Sequence, residues 1–230
     1  MKAREERKRL IVWALKYICK SKDEIRRILI GVSGIPGSGK TTLVAAVTER
    51  VNHLRNTEVH FAVWFAFQWM TITYPNLSWP LCQTQQPPIH RRGAAFTFDV
   101  KEFYRFVQRL REPLASSSST FYAPGFDHAI KDPIMDDIAI LPESRVVIFE
   151  GLYLSLNREL WSSAAALMDD SCFIEVDREI ARERLAKRHV ISGIVSDDAA
   201  AEQRTSSTDF LNADDIIKNR LYVEEKIPGG

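Results

Sequence analysis

Cysteine is scarce: Cys19, Cys82 and Cys172 are the whole complement and lie far apart. No Cys-x-x-Cys pair and no cysteine–histidine cluster occurs, which argues against a zinc site or a disulfide framework. Free thiols suit a reducing compartment. An excess of one charge sign is lacking too. A net charge of +1 gives no global electrostatic case for nucleic acid or an anionic membrane as partner. Long apolar runs are missing: residues 28–32 and 59–70 are apolar, but both fall short of the roughly 18 residues that a membrane helix needs. The charged start, residues 1–9, is followed by no apolar segment with a small-residue cleavage site, so no signal peptide is expected. Glu5 and Glu6 disfavour a transit peptide. The expected location is cytoplasmic, and no internal repeat is visible.

What is present reads as an ordinary globular composition, 45% apolar and 27% charged over 230 residues, enough for one α/β domain or two small ones. Leu10, Ile11, Ala14, Leu15 and Ile18 fall at helical spacing within residues 3–20. Residues 28–33 form a short apolar run ending in glycines, the pattern of a buried parallel strand. A helix is predicted over 40–55, a strand over 58–65 and a loop over 71–93. Asp99 is placed to cap a helix running to Arg111. Residues 116–119 read as a polar loop tip. Strands are predicted over 145–149 and 172–176, a strongly basic helix over 178–191 and a further helix over 209–223. Strands alternating with helices imply a mostly parallel sheet with helices on both faces, with ligands beyond the carboxyl ends of the strands.

Between the first strand and the first helix the chain reads Gly34-Ile35-Pro36-Gly37-Ser38-Gly39-Lys40-Thr41-Thr42. This meets the G-x-x-x-x-G-K-[ST] phosphate-loop pattern in the context that supports it. Glycines let the backbone bend tightly and bring its N–H groups against phosphate oxygens. The following helix adds its positive end. Lys40 is expected to reach the β- and γ-phosphates, and the Thr41 hydroxyl to hold Mg²⁺. Glu150, at the end of the apolar strand 145–149, is placed to approach that ion or its water shell.

Four segments in a fixed order carry a resemblance. They are residues 34–43, Arg91-Arg92-Gly93-Ala94 with Phe96-Thr97-Phe98-Asp99, Phe126-Asp127-His128-Ala129-Ile130-Lys131-Asp132-Pro133, and Val147-Ile148-Phe149-Glu150-Gly151. The chain resembles the phosphoribulokinase/uridine kinase family of P-loop kinases, above all its fungal and bacterial uridine-kinase-like members, and is also similar to bacterial-type pantothenate kinase, over residues 28–225. The resemblance implies a P-loop NTPase fold with a small helical lid over 178–205, within a kinase domain of residues 27–225 that follows an N-terminal helix of residues 1–26. It implies an ATP- and Mg²⁺-dependent transfer of phosphate to a hydroxyl of a small metabolite: a nucleoside such as uridine, a vitamin precursor such as pantothenate, or a sugar. Arg91 and Arg92 would sit near the acceptor, and Asp127 and His128 on a loop facing it. Arg182, Arg184 and Arg188 would belong to the helix that carries the lid, with Arg188 touching ATP phosphates. Lys40, Glu150 and Arg188 are the candidate catalytic residues. Family members often form homo-oligomers.

One departure is sharp. The family carries Pro-Met-Asp-x-x-His after its second strand, and that Asp is the expected base for the acceptor hydroxyl. Here no Asp or Glu occurs between Val59 and Phe98, and three of the five tryptophans (Trp64, Trp69, Trp79) crowd into this stretch. Trp69-Met70-Thr71 must be encoded TGG-ATG-ACN, which contains GAT-GAC, Asp-Asp, when read two bases later. The neighbouring codons then permit Pro-Met-Asp-Asp-Tyr-His-Leu-Ser. We therefore read residues 66–88 as out of frame, with family-like sequence resuming near His90. As written, the chain would be a nucleotide-binding relative with impaired catalysis. A switch GTPase or hydrolytic ATPase is a third reading, but no Asn/Thr-Lys-x-Asp base-reading motif is found.

Overall fold

The computed structural model describes residues 26–54, 61–65, 93–114, 119–127 and 132–229. The helix expected over 3–20, the 66–88 segment, all of the expected 71–93 loop except Gly93, and Arg91, Arg92 and His128 lie outside the described residues. So does most of the loop tip expected at 116–119.

Strand β1 (Ile28–Gly34) is central in a five-stranded parallel sheet. On one side it pairs with β5 (Val146–Gly151), which pairs in turn with β2 (Phe61–Phe65). On the other side it pairs with β6 (Asp170–Glu175), which carries β7 (Glu225–Pro228). Every residue of β1 and β5 is buried. Such strands read as continuous apolar runs because both faces of a parallel sheet are covered.

The two faces separate cleanly. Ile28, Ile30, Val32, Val146, Ile148, Cys172 and Ile174 pack with Leu43, Val44 and Val47 of α1 (Lys40–Leu54). Leu29, Val147, Phe149 and Phe173 face the opposite way. They pack with α2 (Val100–Leu110), α3 (Trp161–Ala165), α4 (Arg178–Ile191) and α6 (Phe210–Asn219). In α2, Phe103, Phe106, Val107 and Leu110 make the buried stripe, and the Asp99 side chain accepts the Glu102 N–H at 3.0 Å. That is the cap expected from the sequence.

Several elements differ from the sequence reading. No element was anticipated between Ser119 and Arg145, yet β3 (Phe121–Asp127) and β4 (Asp132–Ile140) form an antiparallel hairpin. Its register shifts between Ala123 and Gly125, and an added Cβ at Gly125 would lie 1.7 Å from Asp137 Oδ2. The loop expected to hold Asp127 is thus a strand end at that residue. The helix expected over 209–223 ends at Asn219. It is entered from α5 (Asp198–Arg204) through a five-residue π turn, Thr205–Asp209.

Candidate active site

The phosphate loop leaves the carboxyl end of β1, where Val32 is level with Glu150 of β5 and Gly34 with Ile174 of β6. Gly37 (φ +77°) and Gly39 (φ +86°) hold left-handed backbone that other residues resist. Gly37 is also wedged under α4: a Cβ there would meet the Ala181 carbonyl at 2.7 Å and Leu185 at 3.1 Å. Over Gly39 the space is open, with Arg184 Nη1 the nearest atom at 3.7 Å from such a Cβ. Pro36 and Ser38 are buried, while Thr41 and Thr42 are exposed.

Lys40 folds back under its own loop. Its ammonium donates to the Gly34 carbonyl at 3.0 Å, the Ile35 carbonyl at 2.9 Å and Ser38 Oγ at 3.3 Å. The Thr41 hydroxyl donates to Glu150 Oε2 at 3.1 Å. On α4, Arg184 Nη1 lies 3.5 Å from the Gly37 carbonyl. Arg188, one turn on, is close enough to act electrostatically on both Lys40 and Glu150. Arg182 points elsewhere, bridging Glu179 and Glu202 and lying over the Phe210 ring. The helical-surface role suits it better than a ligand role.

Burial lowers the Lys40 pKa from its ordinary 10.5 to about 8, opposed by Glu150 and assisted by Arg188. Burial also pushes the Glu150 carboxyl up, against the pull of Lys40, the Thr41 hydrogen bond and Arg188. Both groups are therefore held in an environment that disfavours their charge. A polyanion fits this site. Lys40 and Arg188 both act on Glu150, Arg184 lies beside the Gly37 carbonyl, and the first N–H groups of α1 have no partner within the helix. A hard divalent cation fits as well. Thr41 and Glu150 offer two adjacent oxygens, and the described residues hold no cluster of three acids or imidazoles. That count suits an ion completed by phosphates and water rather than an all-protein cage.

The lysine shift has a consequence for stability. Between pH 8 and 10.5 the unfolded chain keeps the Lys40 proton that the folded chain releases, so stability from this group rises with pH. The buried Cys172 thiol, whose pKa burial pushes well up, acts oppositely above its ordinary 9.0. Comparison with Lys40→Met isolates the lysine. The wild type should gain on the variant by up to roughly 1.4 kcal/mol per pH unit in this window. Urea unfolding in chelator, without nucleotide, measures it, and a pH-independent difference contradicts the buried ammonium.

Of the sequence-predicted residues, the structure brings together Gly34, Pro36, Gly37, Ser38, Gly39, Lys40, Thr41, Glu150 and Arg188, with Thr42 opening α1. Asp127 closes β3. The Arg184 contact with Gly37 and the pairing of His189 with Asp209 were not foreseen. The spacing Ala181, Leu185, His189 was the available signal for the latter, because all three lie on one buried stripe.

The pattern of the phosphoribulokinase/uridine kinase family matches residues 29–203. The chain is 72% identical over 141 residues to an ATP-dependent kinase-like protein, notR', of Aspergillus versicolor, covering 61% of this chain and 82% of that protein. It is 36% identical over 197 residues to a provisionally named uridine kinase of Schizosaccharomyces pombe, covering 85% and 80%. Among solved structures it resembles a provisionally named fructose transport system kinase from Silicibacter sp. TM1040. The TM-score there is 0.76 and the identity 26%, covering 95% of this chain and 98% of that one. The fold is also that of the P-loop protein YFH7 of Saccharomyces cerevisiae, with TM-score 0.77 and 21% identity over 96% and 98% of the chains. No helix among the described residues is long and apolar enough to cross a membrane.

Proposed function

The chain belongs to the phosphoribulokinase/uridine kinase family, and on that premise we propose that it is an ATP-dependent kinase transferring the γ-phosphate to a hydroxyl of a small metabolite. The observation that carries this reading is the buried Lys40 ammonium. It is held by neutral oxygens of its own loop and flanked by α4 arginines.

Residues Gly34 and Pro36 to Thr42 hold the triphosphate. Thr41 and Glu150 hold Mg²⁺, which when bound neutralises phosphate charge. Lys40 and Arg188 stabilise the negative charge that spreads over the transferred group. Arg91, Arg92, Asp127 and His128 line the acceptor side, as the family resemblance implies. The domain spans 27–225 and works in the cytoplasm. A second reading, a catalytically impaired ATP-binding relative, is favoured by the absence of any carboxylate between Val59 and Phe98.

ADP release measured with and without uridine, fructose or pantothenate separates these readings. Acceptor-dependent release is expected. Release that ignores the acceptor indicates an NTP hydrolase, and nucleotide binding without turnover indicates the impaired relative.

A further inference from the structure

We propose that His189 and Asp209 form a positioning pair that sets Arg188 against the phosphate loop. The proposal rests on the kinase reading, because it gives Arg188 a phosphate to meet. Helix α4 seats on the loop through Ala181 and Leu185, and His189 continues their buried stripe at i, i+4, i+8. The first two positions are apolar and fully buried, and a leucine would satisfy the third equally well for packing. A histidine stands there instead, only 3% exposed. Its Nε2 meets Asp209 Oδ2 at 2.7 Å, and its buried Nδ1 has no hydrogen-bond partner. Desolvating an imidazole with one nitrogen unanswered opposes folding. A side chain chosen for packing alone would avoid that.

The pair grips the helix where it is weakest. The last turn of a helix has unanswered carbonyls and frays most easily. Here the Arg188 carbonyl accepts the Ser192 N–H at 2.9 Å, and the His189 carbonyl accepts the Ile194 N–H at 2.9 Å. Those bonds come from the chain that immediately follows. The His189–Asp209 bond is a long-range tie at this end, 20 residues apart in sequence. Asp209 is delivered by the π turn Thr205–Asp209, a wide turn that re-aims the side chains at the entry to α6. With the tie made, the backbone of Arg188 is held from both sides. Its guanidinium then reaches towards Lys40 and Glu150 from a fixed base.

The test is isothermal titration of the full chain with Mg·ADP and with Mg·AMP-PNP, which differ by the γ-phosphate that Arg188 would meet. His189→Leu keeps the apolar stripe and loses the tie. It should weaken AMP-PNP about tenfold while changing ADP less than about twofold, since a small misplacement of one contact is felt only there. Asp209→Ala should reproduce this selectivity. His189→Gln, which retains a donor for Asp209, should stay within about threefold of wild type. Arg188→Ala with His189→Leu should be no weaker than Arg188→Ala alone, since both act on one contact. Equal weakening of both nucleotides, no weakening of either, or additive losses overturn the positioning role. A wild type that binds neither nucleotide overturns the kinase reading, and this proposal with it.

Discussion

Replacing Lys40 by methionine should lower phosphoryl transfer by about a thousandfold or more and remove most of the affinity for ATP. The side chain is almost completely buried, and its ammonium is the one positive group inside the loop itself. Methionine has similar length and no charge, so the loop keeps its packing beneath α4 while losing its buried cation. Each charge-assisted hydrogen bond lost from a buried site is worth about 1.5–3 kcal/mol, so two or more account for the expected factor. Titration with a fluorescent ATP analogue and coupled ADP release read both losses. Activity above about a tenth of wild type would remove Lys40 from the catalytic set.

The second large effect concerns residues 66–88. A chain in which they are replaced by the alternative reading, containing Pro-Met-Asp-Asp-Tyr-His-Leu-Ser, should exceed the chain as written by about 10²–10⁴ in kcat, the range supplied by a positioned general base. ATP affinity should be unchanged, because the phosphate loop and its arginines are the same in both chains. Equal kcat values would show that the written segment is a genuine divergence and that the proton goes elsewhere. Sequencing codons 60–95 of the transcript is an independent check. The idea fails if the permitted Pro-Met-Asp codons are absent from the other frame.

Much of the centre of the fold was legible because its signals are local. The apolar runs of β1 and β5 are continuous since both sheet faces are covered. Asp99 advertises a cap, and helix α4 runs over the predicted residues, ending in the left-handed Gly193 turn. The phosphate loop is legible for a stronger reason, because only glycine tolerates both the backbone at Gly37 and the Ala181 carbonyl pressed against it.

The hairpin β3–β4 was missed because Pro124 and Gly125 look like a turn. They are in fact accommodated by a register shift in which the Asp137 carboxylate occupies the space a side chain would need. Strand β7 is four residues long and ends in proline, too little for any periodicity to show. At the site, Glu150 could be placed from its position at a strand end. The Arg184 contact and the partner of His189 could not, because each depends on how α4 lies across elements distant in sequence; only the burial of His189 shows in its spacing.

The strand Glu225–Pro228 has a further consequence. It completes the sheet beside β6, and the next residue, Gly229, packs against the Ser38 carbonyl so closely that a Cβ would come within 2.6 Å. The seat beneath the phosphate loop is therefore built from Ile174, Ala181 and Gly229, all translated long after the loop itself. A nascent chain that has emerged only as far as β5 carries every residue of the motif but lacks the seat that closes beneath it. Nucleotide in a refolding buffer should then reward the completed domain without hastening its formation, since the long-range closure must come first.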